Sequence, residues 1–174
     1  MIRVAGIDPG LAHTGWGVIE GSTNRISHLA HGTINTDADE DPAMRLLKIY
    51  EALREVLSIH SPQLVGIETL YFARNRRSAL PVAEARGAIL LAAAQSGAQC
   101  RSYTPLEIKQ ALTGSGRAEK QQVQEMVRVM LGLREIDVSL CNLTLTPLLC
   151  FITLYFPHSF SSYTISFFII YLNV

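Results

Sequence analysis

The chain is short of the residues that would staple a fold covalently. It has only three cysteines, Cys100, Cys141 and Cys150, too few and too unevenly placed for a disulfide framework or a zinc site. It lacks any excess of charge, with 15 basic and 15 acidic residues. A surface for nucleic acid must therefore be a local patch. Long apolar runs are missing too. The two apolar stretches at 148–156 and 164–172 fall well short of the ~20 residues of a membrane-spanning helix. No lysine or arginine flanks them to set an orientation, so no membrane association is expected. Residues 1–8 are a brief apolar run ending in an acid. They have neither the length nor the small-residue cleavage site of a secretory signal, which makes a reducing cytoplasmic setting the expectation. A chain of 174 residues is long enough for one domain with a sizeable core.

What is present divides unevenly. Every lysine and arginine lies at or before Arg134, and the only acid beyond Ile136 is Asp137. Five of the six phenylalanines, by contrast, lie beyond residue 150. The sequence therefore predicts a charged body over 1–136 and an aromatic, Ser/Thr-rich tail over 137–174 that is not a domain of its own. Within that tail, 164–172 combines β-propensity with no charge, a pattern prone to aggregation when exposed.

In the body, the apolar segment at 3–8 reads as a buried strand, stopped by Pro9 and Gly10. Alternation over 14–20 and 25–35 predicts two more strands, with 21–24 as a hairpin loop. Asp41 and Pro42 are a cap and first position for a helix, whose stripe is Leu46, Ile49, Tyr50, Leu53, Val56 and Leu57. A second buried strand, 64–68, again ends in an acid. An Ala-rich helix over 76–95 stops near Gly97, and 99–103 is a further strand. Thr104, Pro105 and Glu107 open a helix with a capping box, which Gly114 and Gly116 interrupt. A last helix carries Val123, Met126, Val127, Met130 and Leu131 on one face. Strand hairpins followed by alternating helices and strands predict an α/β fold, a mixed sheet covered by helices on both faces. His13, His28, His31 and His60 show no ligand spacing and are expected in loops or on the surface.

The two strands ending in Gly-Ile-Asp8 and Gly-Ile-Glu68 carry the chemistry. Side by side in a parallel sheet, their C-terminal ends form the usual position for a site. Two carboxylates there repel unless a cation lies between them, and Mg2+ suits oxygen ligands of this kind. Strand-end acids can equally cap helices or face solvent, and spacing alone does not choose.

The Gly-Ile-Asp-Pro-Gly segment at 6–10, Thr14 through Val18, Glu68, and 71–75 resemble the RuvC family of Holliday-junction endonucleases. Residues 78–80, 85–87, 108–109 and 114–120 continue that resemblance in order, over residues 1 to about 136. It implies a ribonuclease-H-like fold and a homodimer cutting four-way DNA junctions with two Mg2+ ions in the intact site. It also implies work beside the RuvA-RuvB branch-migration complex. Asp8 and Glu68 match two of the family's four catalytic, metal-binding positions. Tyr71 matches the aromatic that stacks on an unpaired base, and Lys109 and Lys120 match DNA contacts. Arg74, Arg76 and Arg77, close behind Glu68, are further candidates for phosphate contacts, although surface cations often only solvate a helix face. The Ala-rich helix has two readings, close packing on the sheet and a dimer contact.

The family's other two acids belong to a C-terminal helix with a pattern like Asp/His-Ala-Ala-Asp-Ala, and 137–174 contains nothing of that form. The final helix is therefore expected to be replaced, by out-of-frame sequence or by a lineage-specific extension, and cleavage to be impaired. Two other readings stay open: a junction-binding protein that does not cut, and a phosphate-binding domain related to actin-like ATPases. The latter needs a second lobe for which the chain has no room.

Overall fold

The computed structural model describes residues 1–22, 25–69 and 76–132, with backbone alone at 76–78. These residues form β1 (Ile2–Asp8), β2 (His13–Ser22), β3 (Arg25–Asn35), α1 (Pro42–His60), β4 (Leu64–Glu68), α2 (Arg76–Gln95), β5 (Gln99–Tyr103), α3 (Pro105–Thr113) and α4 (Lys120–Met130). The boundary expected at 136 and the tail behind it lie outside the described residues.

The strands make one sheet in the order β3-β2-β1-β4-β5. Short connections make its first half antiparallel, β1 with β2 and β2 with β3. The crossovers through α1 and α2 make β1-β4 and β4-β5 parallel, as helical connections between neighbouring strands require. The mixed sheet expected from the sequence is therefore present. β2 runs further than alternation suggested, because Gly21 pairs with Ile26 and Ser22 with Arg25.

Alternation of side chains divides the core between two faces. Val4, Ile19 and Leu64 point to one face and pack under Ile108 and Leu112 of α3 and Val123, Val127 and Met130 of α4. Ala5, Ile7, Val65 and Ile67 point to the other, against Ile49, Leu53 and Leu57 of α1 and Ala85, Ile89, Ala92 and Ala93 of α2. Helices thus cover both faces. The alanines of α2 are in the core, so the packing reading of that helix holds. The same helix leaves Leu80 and Leu91 exposed.

The helix ends follow from local chemistry. The Asp41 side chain accepts from the backbone N–H groups of Ala43 and Met44, and Ser61 closes α1 in the left-handed conformation. Thr104 and Glu107 form the expected capping box at α3, which ends at Gly114 with φ of 74°. Both caps satisfy N–H groups that a helix start leaves unpaired.

The histidines correct the sequence reading in part, since His13 is exposed as expected and His28, His31 and His60 are half-buried. His13 belongs to β2, and His28 and His31 belong to β3. The two in β3 are half-buried and touch each other. His60 is the last residue of α1. The bounds of β3 are those expected, but a register shift inside it was not legible. Val18 pairs with Ala30 but Ile19 pairs with His28, so Leu29 is an extra residue that breaks the period of two.

Candidate active site

Asp8 and Glu68 close the two central parallel strands. Ile7 pairs with Ile67, so the next residue on each strand is one of the acids. Val4 and Leu64 face α3 and α4. Asp8 and Glu68 lie an even number of residues further along each strand, and so share that face. Between each acid and the core stand only Gly6 and Gly66, themselves a register pair.

The electrostatics show how closely the acids are held. Glu68 is half-buried, and its carboxyl is pushed up to about 7 from an ordinary 4.5, first by burial and then by the charge of Asp8. Burial raises the Asp8 carboxyl as well, although one side of that residue stays open to solvent. Two half-enclosed carboxyls, with the charge of Asp8 disfavouring ionisation of Glu68, form a pair that a cation would relieve. Among the described residues, no third His, Cys, Asp or Glu joins them in a cluster able to hold a metal ion.

The turn that follows Asp8 is fixed by two threonines. Thr14, fully buried, donates its hydroxyl to the carbonyl of Gly10 at 2.6 Å, and Thr36 donates to that of Leu11 at 2.6 Å. Arg45 donates its Nε–H to the Thr36 hydroxyl at 2.8 Å. A Cβ at position 10 would stand 2.3 Å from the carbonyl oxygen of His13, so the turn closes only around glycine. Gly10→Ala is expected to displace this turn and cost about 1–3 kcal/mol of stability. Thermal or urea unfolding measures the loss, and an unchanged midpoint would show that the turn relaxes freely.

α3 and α4 bring basic groups to the same place. A cavity of about 250 Å³ is lined by Glu68, Pro105, Ile108, Lys109, Lys120, Val123 and Gln124. Lys109 is half-buried and Lys120 exposed. Among the described residues, neither lysine makes an ion pair. Two ammonium groups without an ion-pair partner among the described residues, beside the Glu68 carboxyl, are placed to receive a phosphate.

The fold therefore gathers Asp8, Glu68, Lys109 and Lys120 from four elements. Tyr71 and Arg74 lie outside the described residues, as do the side chains of Arg76 and Arg77, whose backbone opens α2. Gln124 lines the cavity and was not singled out from the sequence. It lies four residues after Lys120, hence on the same helix face, and that spacing was the available signal.

A five-stranded mixed sheet of this order, with acids ending neighbouring strands, defines a ribonuclease-H-like nuclease fold. The family model for crossover junction endodeoxyribonuclease RuvC matches residues 4–140. The RuvC of Caldanaerobacter subterraneus subsp. tengcongensis is 47% identical over 135 residues, which cover 78% of this chain and 82% of that protein. The RuvC of Treponema denticola is 50% identical over 133 residues, 76% of this chain and 75% of that one. The solved structure of Thermus thermophilus RuvC superposes with a TM-score of 0.83 at 34% identity, covering 90% of this chain and 97% of that chain. T. thermophilus RuvC in complex with a Holliday junction substrate gives 0.80 at 35% identity, covering 86% and 92%. The chain belongs to the RuvC family of crossover junction endodeoxyribonucleases.

Proposed function

We propose that this chain binds four-way DNA junctions through a site in which Asp8 and Glu68 hold Mg2+, and that it cleaves them poorly. The observation that carries this reading is the pairing of Asp8 with Glu68 at neighbouring strand ends, where Glu68 also shares a cavity with Lys109 and Lys120. The residues present fit the ion: two carboxylates open to solvent on one side match a cation that takes one or two protein oxygens and keeps several waters. When bound, Mg2+ supplies positive charge to a scissile phosphate and acidifies a coordinated water. Lys109 and Lys120 pair with backbone phosphates and set the register of the strand. Ile108 and Val123 form the apolar floor beneath them. Tyr71 stacks on a base exposed at the junction centre, and Arg74, Arg76 and Arg77 contact the phosphates of the adjoining arm.

Symmetric cutting requires a homodimer, for which the exposed Leu80 and Leu91 of α2 offer a surface. By family, the RuvA-RuvB complex is the companion machinery, and the cytoplasm is the setting. Among the described residues, no helix is long and apolar enough to cross a membrane.

The test is a gel-shift and cleavage assay on a labelled synthetic four-way junction, with the Asp8→Asn and Glu68→Gln variants beside the native chain. Binding without efficient cutting supports the reading, and a preference for linear duplex over the junction refutes it. The lysines have their own signature. Lys109→Ala and Lys120→Ala should each weaken junction binding and lower the slope of log affinity against log salt by about one. An unchanged slope would remove that lysine from the phosphate contacts.

A further inference from the structure

The bulge at Leu29 has a chemical consequence at the far edge of the sheet. In an unbroken strand, residues three apart point to opposite faces. Here His28 stands opposite Ile19, and His31 opposite Gly17. Ile19 and Gly17 lie two apart on β2, so the extra residue turns both imidazoles onto one face, the face of α3 and α4. They meet there, with Nδ1 of His31 at 3.1 Å from Nε2 of His28 and ring centroids 5.1 Å apart. Their neighbour Gly17, itself buried, has no side chain to crowd the two rings. β3 is the edge strand, which leaves the pair approachable from the side.

We propose that His28 and His31 form a binding site for a borderline transition-metal ion, Zn2+ or Ni2+, separate from the Asp8–Glu68 pair. Two metal–nitrogen bonds of about 2.05 Å would span the observed 3.1 Å separation at an angle of about 100°. That angle lies within the range of tetrahedral and octahedral sites. An ion would replace the hydrogen bond between the rings: the nitrogen carrying the shared proton passes it to its other ring nitrogen or releases it, and both rings turn about χ2, a torsion with a broad minimum in histidine. The backbone of Ala30 makes a hydrogen bond to His28 and so helps to hold the ring, as backbone partners hold metal-bound histidines. Burial and the neighbouring His31 lower the pKa of His28, so it is neutral and able to ligate at physiological pH. Imidazole prefers Zn2+ or Ni2+, and carboxylate prefers Mg2+, so the two sites sort ions by chemistry.

The experiment is calorimetric titration of the full chain with Zn2+ in a chelator-free buffer containing excess Mg2+. It is run on the native chain, on the Asp8→Asn/Glu68→Gln double variant, and on His28→Ala and His31→Gln. One Zn2+ should bind the native chain and the acid variant alike. Affinity should drop at least about tenfold on loss of either imidazole. Imidazole nitrogen NMR of the native chain reads the same event without any substitution, since the resonances of His28 and His31 should shift first. Zn2+ affinity that survives both histidine variants, binding that disappears with the acids, or unmoved resonances of these two rings would each overturn the proposal.

Discussion

Given a synthetic four-way junction and Mg2+, this chain is expected to bind the junction but cut it on the order of 10³-fold or more slowly than the RuvC of Thermus thermophilus. The reason is arithmetic of ligands. The RuvC family resemblance assigns four acidic or metal-ligating positions, and Asp8 and Glu68 match two of them. Beyond Ile136 the only carboxylate side chain is that of Asp137, with no partner at helical spacing. Groups that act as a unit lose most of their effect when one is missing, whereas phosphate contacts from Lys109 and Lys120 do not depend on the missing pair. Single-turnover strand cleavage, measured beside a gel shift, separates the two. Junction resolution at the relative's rate would sink the idea. A chimera carries the complementary expectation: residues 1–136 joined to the C-terminal segment of the Caldanaerobacter protein should regain cleavage. If it binds junctions and stays inactive, the tail is not the cause.

The origin of the tail is open to a direct check. We propose that 137–174 is out-of-frame sequence, because charge vanishes and phenylalanine accumulates where the final helix is expected. The family model stops matching at residue 140. Reading the nucleotide sequence in all three frames should reveal an Asp-x-x-Asp helix in another frame. Its absence from every frame would favour a lineage-specific extension.

Much of the fold was legible because local signals and tertiary demands agreed. The bounds of β4, α2 and β5 follow from apolar runs punctuated by Pro62, Gly97 and Thr104, and both helix caps lie where side-chain chemistry requires them. The acids were legible as strand ends, and Lys109 and Lys120 through the family resemblance. What could not be read was anything set by pairing across the sheet. The bulge at Leu29 depends on how β3 registers against β2, so sequence spacing kept His28 and His31 apart where the fold joins them. The raised pKa of Glu68 comes first from its burial in the fold and then from Asp8 on the neighbouring strand, and local spacing encodes neither. Gln124 shares a helix face with Lys120 by spacing, but that this face lines a cavity with Glu68 is set by the packing of α4.

Mg2+ affinity of this protein should fall as pH drops below about 7, by roughly tenfold for each pH unit through the range where Glu68 takes up its proton. The carboxyl of Glu68 is raised from 4.5 to about 7, by burial first and then by Asp8. In the metal-free protein the folded state therefore holds a proton that the unfolded chain releases. Stability contributed by that proton is present below about 4.5 and is lost as pH rises through about 7. Mg2+ bound as proposed would act in the opposite sense, because it would require the ionised pair and remove the repulsion between Asp8 and Glu68. The gain in melting temperature on adding Mg2+ should thus be larger at pH 8 than at pH 6, with protons released on binding near neutrality. Asp8→Asn should remove only the smaller part of this pH dependence in the metal-free protein, since burial, the larger cause, would still hold Glu68 up. Calorimetry in buffers of different ionisation enthalpy counts the released protons directly. A proton count of zero at pH 6.5, with Mg2+ bound, would mean that Glu68 is not among the ligands.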